Sequence, residues 1–180
     1  TADQGFASGE HGCRSKICPY DANYRSPLIF SQPGTLPEGV VCAQSVNAPD
    51  LVVTFHALAG LELPWNMHGR DLTPLLKNPT ADWPFATFYT HMGQHYGSDT
   101  AKLLAAGGDE AVHSNVPWYV ALREKNYKYI RYLKDDEIEE LYDLADDPEE
   151  LSNLAYHPTQ TERMARMREL LMAELKRTEA

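Results

Sequence analysis

Residues 119–133 read YVALREKNYKYIRYL, and the pattern admits few folds. Two runs rich in aromatic and β-branched residues, Tyr119 to Leu122 and Tyr127 to Leu133, flank the polar turn Glu124-Lys125-Asn126. Such runs suit a pleated, half-buried surface, so the stretch predicts two strands around a turn. A hairpin alone is marginal in water and needs further strands or a helix on its apolar face. The sequence offers both. Phe85-Ala-Thr-Phe-Tyr89 is a strand signal, and Leu141-Tyr142-Asp143-Leu144 reads as a short strand or edge before a turn at Asp146-Asp147-Pro148. The chain then ends in an amphipathic helix. Thr159 and Glu162 form a capping-box pattern, and Met164, Met167, Leu171 and Leu175 line one face. Residues 79–180 are therefore expected to form a small antiparallel-sheet subdomain with a terminal helix.

The first part has another character. Residues 1–26 are rich in Gly and polar side chains, with a short helical turn expected around Tyr20–Tyr24. Pro27-Leu-Ile-Phe30 reads as a short buried strand, and Val40-Val41-Cys42-Ala43 as a second one beside it. Pro49 suits a first helical turn, Asp50 the positive end of the helix dipole, and Gly60 a terminator. The apolar set Leu51, Val52, Phe55, Leu58 and Ala59 predicts that this helix packs through that face. Leu72 to Leu76 is a further short helix. Residues 1–78 thus look like the tail end of an α/β domain, with too few strands to close a sheet alone.

Bulk properties exclude several functions. The 180 residues are 43% hydrophobic and 23% charged, a globular composition. The net charge of −10 argues against general affinity for nucleic acid or an anionic membrane. No apolar run approaches the roughly 20 residues of a membrane span, and no signal-peptide pattern is visible. Cys13, Cys18 and Cys42 are too few for a disulfide framework and lack zinc-site spacing. They read as ordinary small side chains, a Cys13–Cys18 bridge being the alternative.

The candidate chemistry begins at the third residue. Asp3 and Gln4 offer two hard oxygens of the kind that suit Ca²⁺ or Mg²⁺, and Gly5 lets the backbone turn sharply after them. Lys16, in a polar loop after His11 and Gly12, can meet an anionic oxygen as a point charge. His11 can donate a proton or touch substrate. His91 and His95 fall in a Gly-containing loop from His91 to about Ser114, the type of loop that carries specificity. The tyrosines at 20, 24, 127, 129 and 132 read as core or strand-face residues rather than a carbohydrate platform. The acidic stretch 135–150 reads as a solvated face.

The spacing of these residues resembles one family. Thr1-Ala2-Asp3-Gln4-Gly5, Gly9-Glu10-His11-Gly12, Lys16, Tyr20-Asp21 and Arg25-Ser26-Pro27-Leu28-Ile29 are similar, in order, to the signature of formylglycine-dependent sulfatases of the alkaline-phosphatase-like superfamily. Gly69-Arg70-Asp71-Leu72, Tyr127-Lys128-Tyr129-Ile130 and Glu140-Leu-Tyr-Asp-Leu144 extend the resemblance over nearly the whole chain. It implies the C-terminal end of an alkaline-phosphatase-like α/β domain followed by the small sheet subdomain, in a hydrolase of sulfate esters such as sulfated sugars. It implies Asp3 and Gln4 as metal ligands, usually for Ca²⁺, and Lys16 as the cation that contacts the sulfate. His11, His91 and His95 are then candidate substrate contacts. The family's nucleophile is a formylglycine made within C/S-x-P-x-R, and no such motif occurs here; Cys18-Pro19-Tyr20 has Pro one place too early. The chain therefore looks like the C-terminal part of a sulfatase, expected to be inactive without the remainder of the enzyme as partner. The resemblance implies a periplasmic, secreted or lysosome-like setting. Two other readings stay open: a phosphonate or phosphodiester hydrolase of the same superfamily, and a non-catalytic binding module on the same scaffold.

Overall fold

The computed structural model describes residues 1–91, 112–113, 116–134 and 138–178. Its centre is a four-stranded antiparallel sheet. The strands are β3 (Thr87–His91), β6 (Tyr119–Glu124), β7 (Tyr127–Tyr132) and β8 (Glu140–Asp143), in the order β3-β6-β7-β8. Among the described residues two two-stranded ribbons accompany it: β1 (Ala7–Ser8) with β2 (Arg14–Ser15), and β4 (Val112–His113) with β5 (Val116–Pro117). The α-helices among the described residues are α1 (Asp21–Tyr24), α2 (Ala48–Ala59), α3 (Thr73–Lys77) and α4 (Thr161–Thr178).

The predicted hairpin forms in register, with Glu124 opposite Tyr127 and Tyr119 opposite Tyr132. Lys125 takes φ 54 in the turn between them. Alternation sends side chains to two faces, and both are covered. On one face Val120, Leu122, Tyr129 and Leu141 pack against Met164, Met167 and Leu171 of α4. On the other, Tyr119, Ala121, Ile130 and Tyr142 pack against Tyr20 and Tyr24 from the N-terminal segment. That double coverage explains why Tyr119 through Leu122 are all buried. It also places the N-terminal loops directly on the sheet.

Several expectations change. Leu28, Ile29 and Phe30 form no strand, and Ile29 is 80% exposed. Residues 40–43 likewise form none, with Val41 90% exposed. Among the described residues neither run finds a strand to pair with, and an apolar run alone cannot satisfy its backbone. The Phe85 strand begins two residues later, at Thr87. α2 starts and stops where its signals indicate: Asp50 accepts from the Asn47 amide at 2.9 Å, and Gly60 adopts φ 66. Its buried residues, however, are Asp50 and Thr54, while Val52, Phe55 and Leu58 are exposed. The reason is polar: Asp50 Oδ1 accepts from the Arg70 amide, and Thr54 Oγ1 from the Leu72 amide. Gly69 makes this possible, since a Cβ there would lie 2.1 Å from the Pro49 carbonyl oxygen. At α4 the Thr159–Glu162 box is replaced by a short 3-10 turn, Pro158–Gln160, capped by the His157 ring accepting from the Thr159 amide.

Within the acidic stretch, three of the described carboxylates are not on a solvated face, while Asp146 and Glu149 are exposed. Glu140 and Glu150 are buried, and Glu139 pairs with Arg168 of α4. Three phenols surround Glu140: Tyr20 and Tyr132 donate to Oε1 at 3.3 and 3.0 Å, and Tyr142 to Oε2 at 2.8 Å. Burial, then the Glu140 charge, push the Tyr20 phenol up to about 12 and those of Tyr132 and Tyr142 higher. Phenols whose pKa is raised by folding stabilise the native state fully below the unfolded value of about 10 and lose that contribution as pH rises past it. The Tyr20, Tyr132 and Tyr142 phenols are therefore expected to ionise only together with loss of the circular-dichroism signal on alkaline titration. A single smooth tyrosinate transition near pH 10 in a still-folded protein would contradict this.

Candidate active-site loop

The segment 1–25 lies on the tyrosine face of the sheet. β1 and β2 form a short ribbon, Ala7 opposite Ser15, that brings residues 3–4 beside residue 16. Gly5 is required there for proximity and not for a turn. A Cβ at Gly5 would lie 2.1 Å from the Ala22 carbonyl oxygen, and its φ is not left-handed. Any larger residue would push the Asp3-Gln4 segment off α1.

Asp3, Gln4 and Lys16 converge. Lys16 Nζ forms an ion pair with Asp3 Oδ2, and Asp3 Oδ1 accepts from the Gln4 amide at 2.8 Å. The Lys16 hydrogen bond holds the Asp3 carboxyl below its ordinary range, helped by the Gln4 amide. Gln4 Nε2 donates to the Lys16 carbonyl at 2.7 Å. That bond fixes the amide: nitrogen faces the carbonyl, leaving Oε1 as the free hard oxygen. Asp3, with its side chain 76% exposed, adds a carboxylate. These two oxygens fit part of a hard-cation site. Among the described residues no group of three or more His, Cys, Asp or Glu could hold a metal, so further ligands would have to come from elsewhere.

The loop is closed by a disulfide between Cys13 and Cys18, five residues apart. The three cysteines are thus not equivalent small side chains; only Cys42 is free, and it is exposed. His11 sits at φ 54 in the turn Glu10–Gly12 just before that loop. Its ring stacks on Tyr20 at 3.7 Å with 9° between planes, and Nε2 lies 2.9 Å from the Glu149 carbonyl. His91 is not in a loop: it ends β3, paired with Tyr119 in the ladder, its ring 5.7 Å from the Tyr119 ring. His95 lies outside the described residues. The structure therefore brings Asp3, Gln4 and Lys16 together, anchors His11 on the Tyr20 ring and the Glu149 carbonyl, and seats His91 on the tyrosine face.

Sequence reasoning passed over the support beneath this loop. Lys128 is fully buried, its Nζ 3.0 Å from Asp21 Oδ1 and 2.6 Å from Glu150 Oε1. Glu150 in turn accepts from the Asp21 amide at 2.6 Å. Burial raises the Glu150 carboxyl above its ordinary value, with Lys128 opposing. A readable signal existed. In YKYIRY, Lys128 alternates in step with Ile130 and Tyr132, which marks an inward-facing cation that needs an acidic partner.

Fold and loop together place an antiparallel sheet under α4 on one side, and a carboxylate, an amide and a lysine on the other. The N-sulphoglucosamine sulphohydrolase C-terminal family matches residues 9–105 and 108–178, and the chain belongs to that family. It is 32% identical over 157 residues to an N-acetylglucosamine-6-O-sulfatase of Bacteroides thetaiotaomicron, covering 86% of this chain and 25% of that protein. Among solved structures it is similar to a protein in complex with its substrate D-glucosamine-2-N,6-O-disulfate, with TM-score 0.74 and 26% identity over 98% of this chain and 33% of the other. It is also similar to a phosphonate monoester hydrolase from Silicibacter pomeroyi, with TM-score 0.65 and 25% identity over 93% of this chain and 32% of the other. The chain spans about a quarter to a third of the length of these relatives. Its architecture is that of the alkaline-phosphatase-like sulfatases, as the resemblance implied.

Proposed function

We propose that these residues form the C-terminal part of a sulfatase that hydrolyses sulfate esters of amino sugars. The observation that carries this reading is the convergence of Asp3 and Gln4 on Lys16 of the disulfide-closed loop, in a chain similar to enzymes of sulfated glucosamine. Lys16 is assigned to the sulfate: its ammonium neutralises charge that builds on the leaving ester oxygen as the S–O bond breaks. Asp3 and Gln4 Oε1 would hold a divalent cation, Ca²⁺ or Mg²⁺, which when bound neutralises the sulfate oxygens. His11 and His91 are assigned to the rim of the pocket, where the sugar would lie. The residues supply no nucleophile of the formylglycine type, since C/S-x-P-x-R does not occur among them. That group would come from the rest of the enzyme. The exposed apolar face of α2, Val52, Phe55 and Leu58, supports the same view, being of the kind that another part of the protein covers.

The similarity to a phosphonate monoester hydrolase favours a second reading, in which the same cation and lysine serve a phosphoryl centre. Parallel assays of the intact enzyme decide between them. Release of sulfate from glucosamine 6-sulfate or an aryl sulfate, with phosphonate and phosphodiester analogues turned over far more slowly, is the expected result. The opposite preference would replace the first reading by the second. The 180 residues alone are expected to release no sulfate, and clear metal-dependent turnover by them would refute the division of labour.

A further inference from the structure

Three successive carbonyls of the Lys16 loop are each held by a different side chain. The Ser15 carbonyl accepts from Asn23 Nδ2 at 3.1 Å, that of Lys16 from Gln4 Nε2 at 2.7 Å, and that of Ile17 from the Tyr119 hydroxyl at 2.7 Å. The loop needs such restraint. Ser15 sits at φ 76, a left-handed conformation that a β-carbon disfavours. Tyr119 is the distant member of the set, 102 residues along the chain on β6, and it is fully buried. Its oxygen also lies 2.5 Å from the Tyr24 hydroxyl. The direction of that contact follows from the proton count. A phenol has one proton, and a carbonyl has none, so the Tyr119 proton goes to Ile17. Tyr24 must then be the donor to Tyr119. The order is Tyr24 to Tyr119 to Ile17, a chain in which each bond polarises the next.

We propose that Tyr119, with Tyr24 behind it, is a positioning residue for Lys16, through which the C-terminal sheet fixes where the lysine ammonium stands. This rests on the assignment of Lys16 to the sulfate, and the test separates the two. Tyr119→Phe removes one oxygen and no packing. In the intact enzyme it is expected to lower kcat/KM for a sulfate ester about tenfold, the loss typical of one hydrogen bond. In a Lys16→Met background the same change should alter kcat/KM less than twofold, because Tyr119 acts only through Lys16. An equal fall in both backgrounds, or none in the first, overturns the proposal. A second readout does not use turnover. Lysines are reductively ¹³C-methylated, and the Lys16 signal is assigned by its loss in Lys16→Arg. It should shift in Tyr119→Phe and in Tyr24→Phe, and stay in place in Tyr129→Phe, a fully buried phenol on the opposite sheet face. An unmoved Lys16 signal in the first two variants overturns the proposal. If Lys16→Met keeps full activity, the assignment of Lys16 to the sulfate falls, and the methyl signal still decides whether Tyr119 positions it.

Discussion

Lys128→Met is expected to cost about 3–5 kcal/mol of folding stability, the usual penalty for breaking a buried ion pair by removing one partner. The side chain is completely buried and its ammonium bridges two carboxylates, Asp21 on α1 and Glu150 after β8. Methionine keeps most of the stem and deletes the charge. Two anions then face each other. Asp21 retains Arg123 at 3.4 Å, but Glu150 is only 2% exposed and loses its counter-ion. Chemical denaturation at neutral pH measures the loss. The pH dependence supplies an internal check. Burial already raises the Glu150 carboxyl, and removing Lys128 takes away the opposing influence. An acid whose pKa is raised by folding stabilises the native state when protonated, and that contribution is lost as pH rises through the folded value. The loss relative to the parent should therefore be smaller near pH 4 than near pH 7. Adding Glu150→Gln should recover a large part of the loss, since the amide oxygen still accepts from the Asp21 backbone and carries no charge. A variant as stable as the parent at neutral pH would show that the bridge contributes nothing net.

That buried bridge marks the boundary of what the sequence disclosed. The hairpin, β8, α2 and α4 were legible because each is specified locally, by alternation, turn residues and helical periodicity. Gly60 ends α2 as its signal indicates. Failures came where a neighbour distant in sequence decides. Pro27 to Phe30 has strand composition, but a strand needs a partner edge, and composition does not say whether one is within reach. Glu140 and Glu150 sit in an acidic stretch that reads as solvated, yet three phenols and a lysine from other elements receive them. Cys13 and Cys18 are close in sequence, and only the fold of the 13–18 loop decides that they pair. The candidate site divides in the same way. Asp3, Gln4 and Lys16 were visible through the order of a family signature, whereas the supports from Asn23 and Tyr119 carry no local mark. His91 was displaced because the strand was started at Phe85 and ended early. The ladder with β6 carries the strand on to residue 91.

Lys16→Met is expected to lower kcat/KM for a sulfate ester by about 10²–10³-fold in the intact enzyme, the magnitude seen when one preorganised donor to developing charge is lost. Stability should hardly change. The Lys16 side chain is 42% exposed and its partner Asp3 76%, and ion pairs so open to solvent contribute little to stability. A melting temperature within a degree or two of the parent's is thus part of the expectation. Lys16→Arg should recover only part of the activity. It restores the charge, but a planar fork does not replace a compact ammonium held in a disulfide-closed loop. Cation binding gives the decisive contrast. Lys16 neutralises Asp3, so its removal leaves that carboxylate more available to Ca²⁺. Calorimetric titration should show Ca²⁺ affinity equal to or above that of the parent, while turnover falls. If turnover and Ca²⁺ affinity fall together, Lys16 acts by shaping the cation site, and its assignment to the sulfate is wrong.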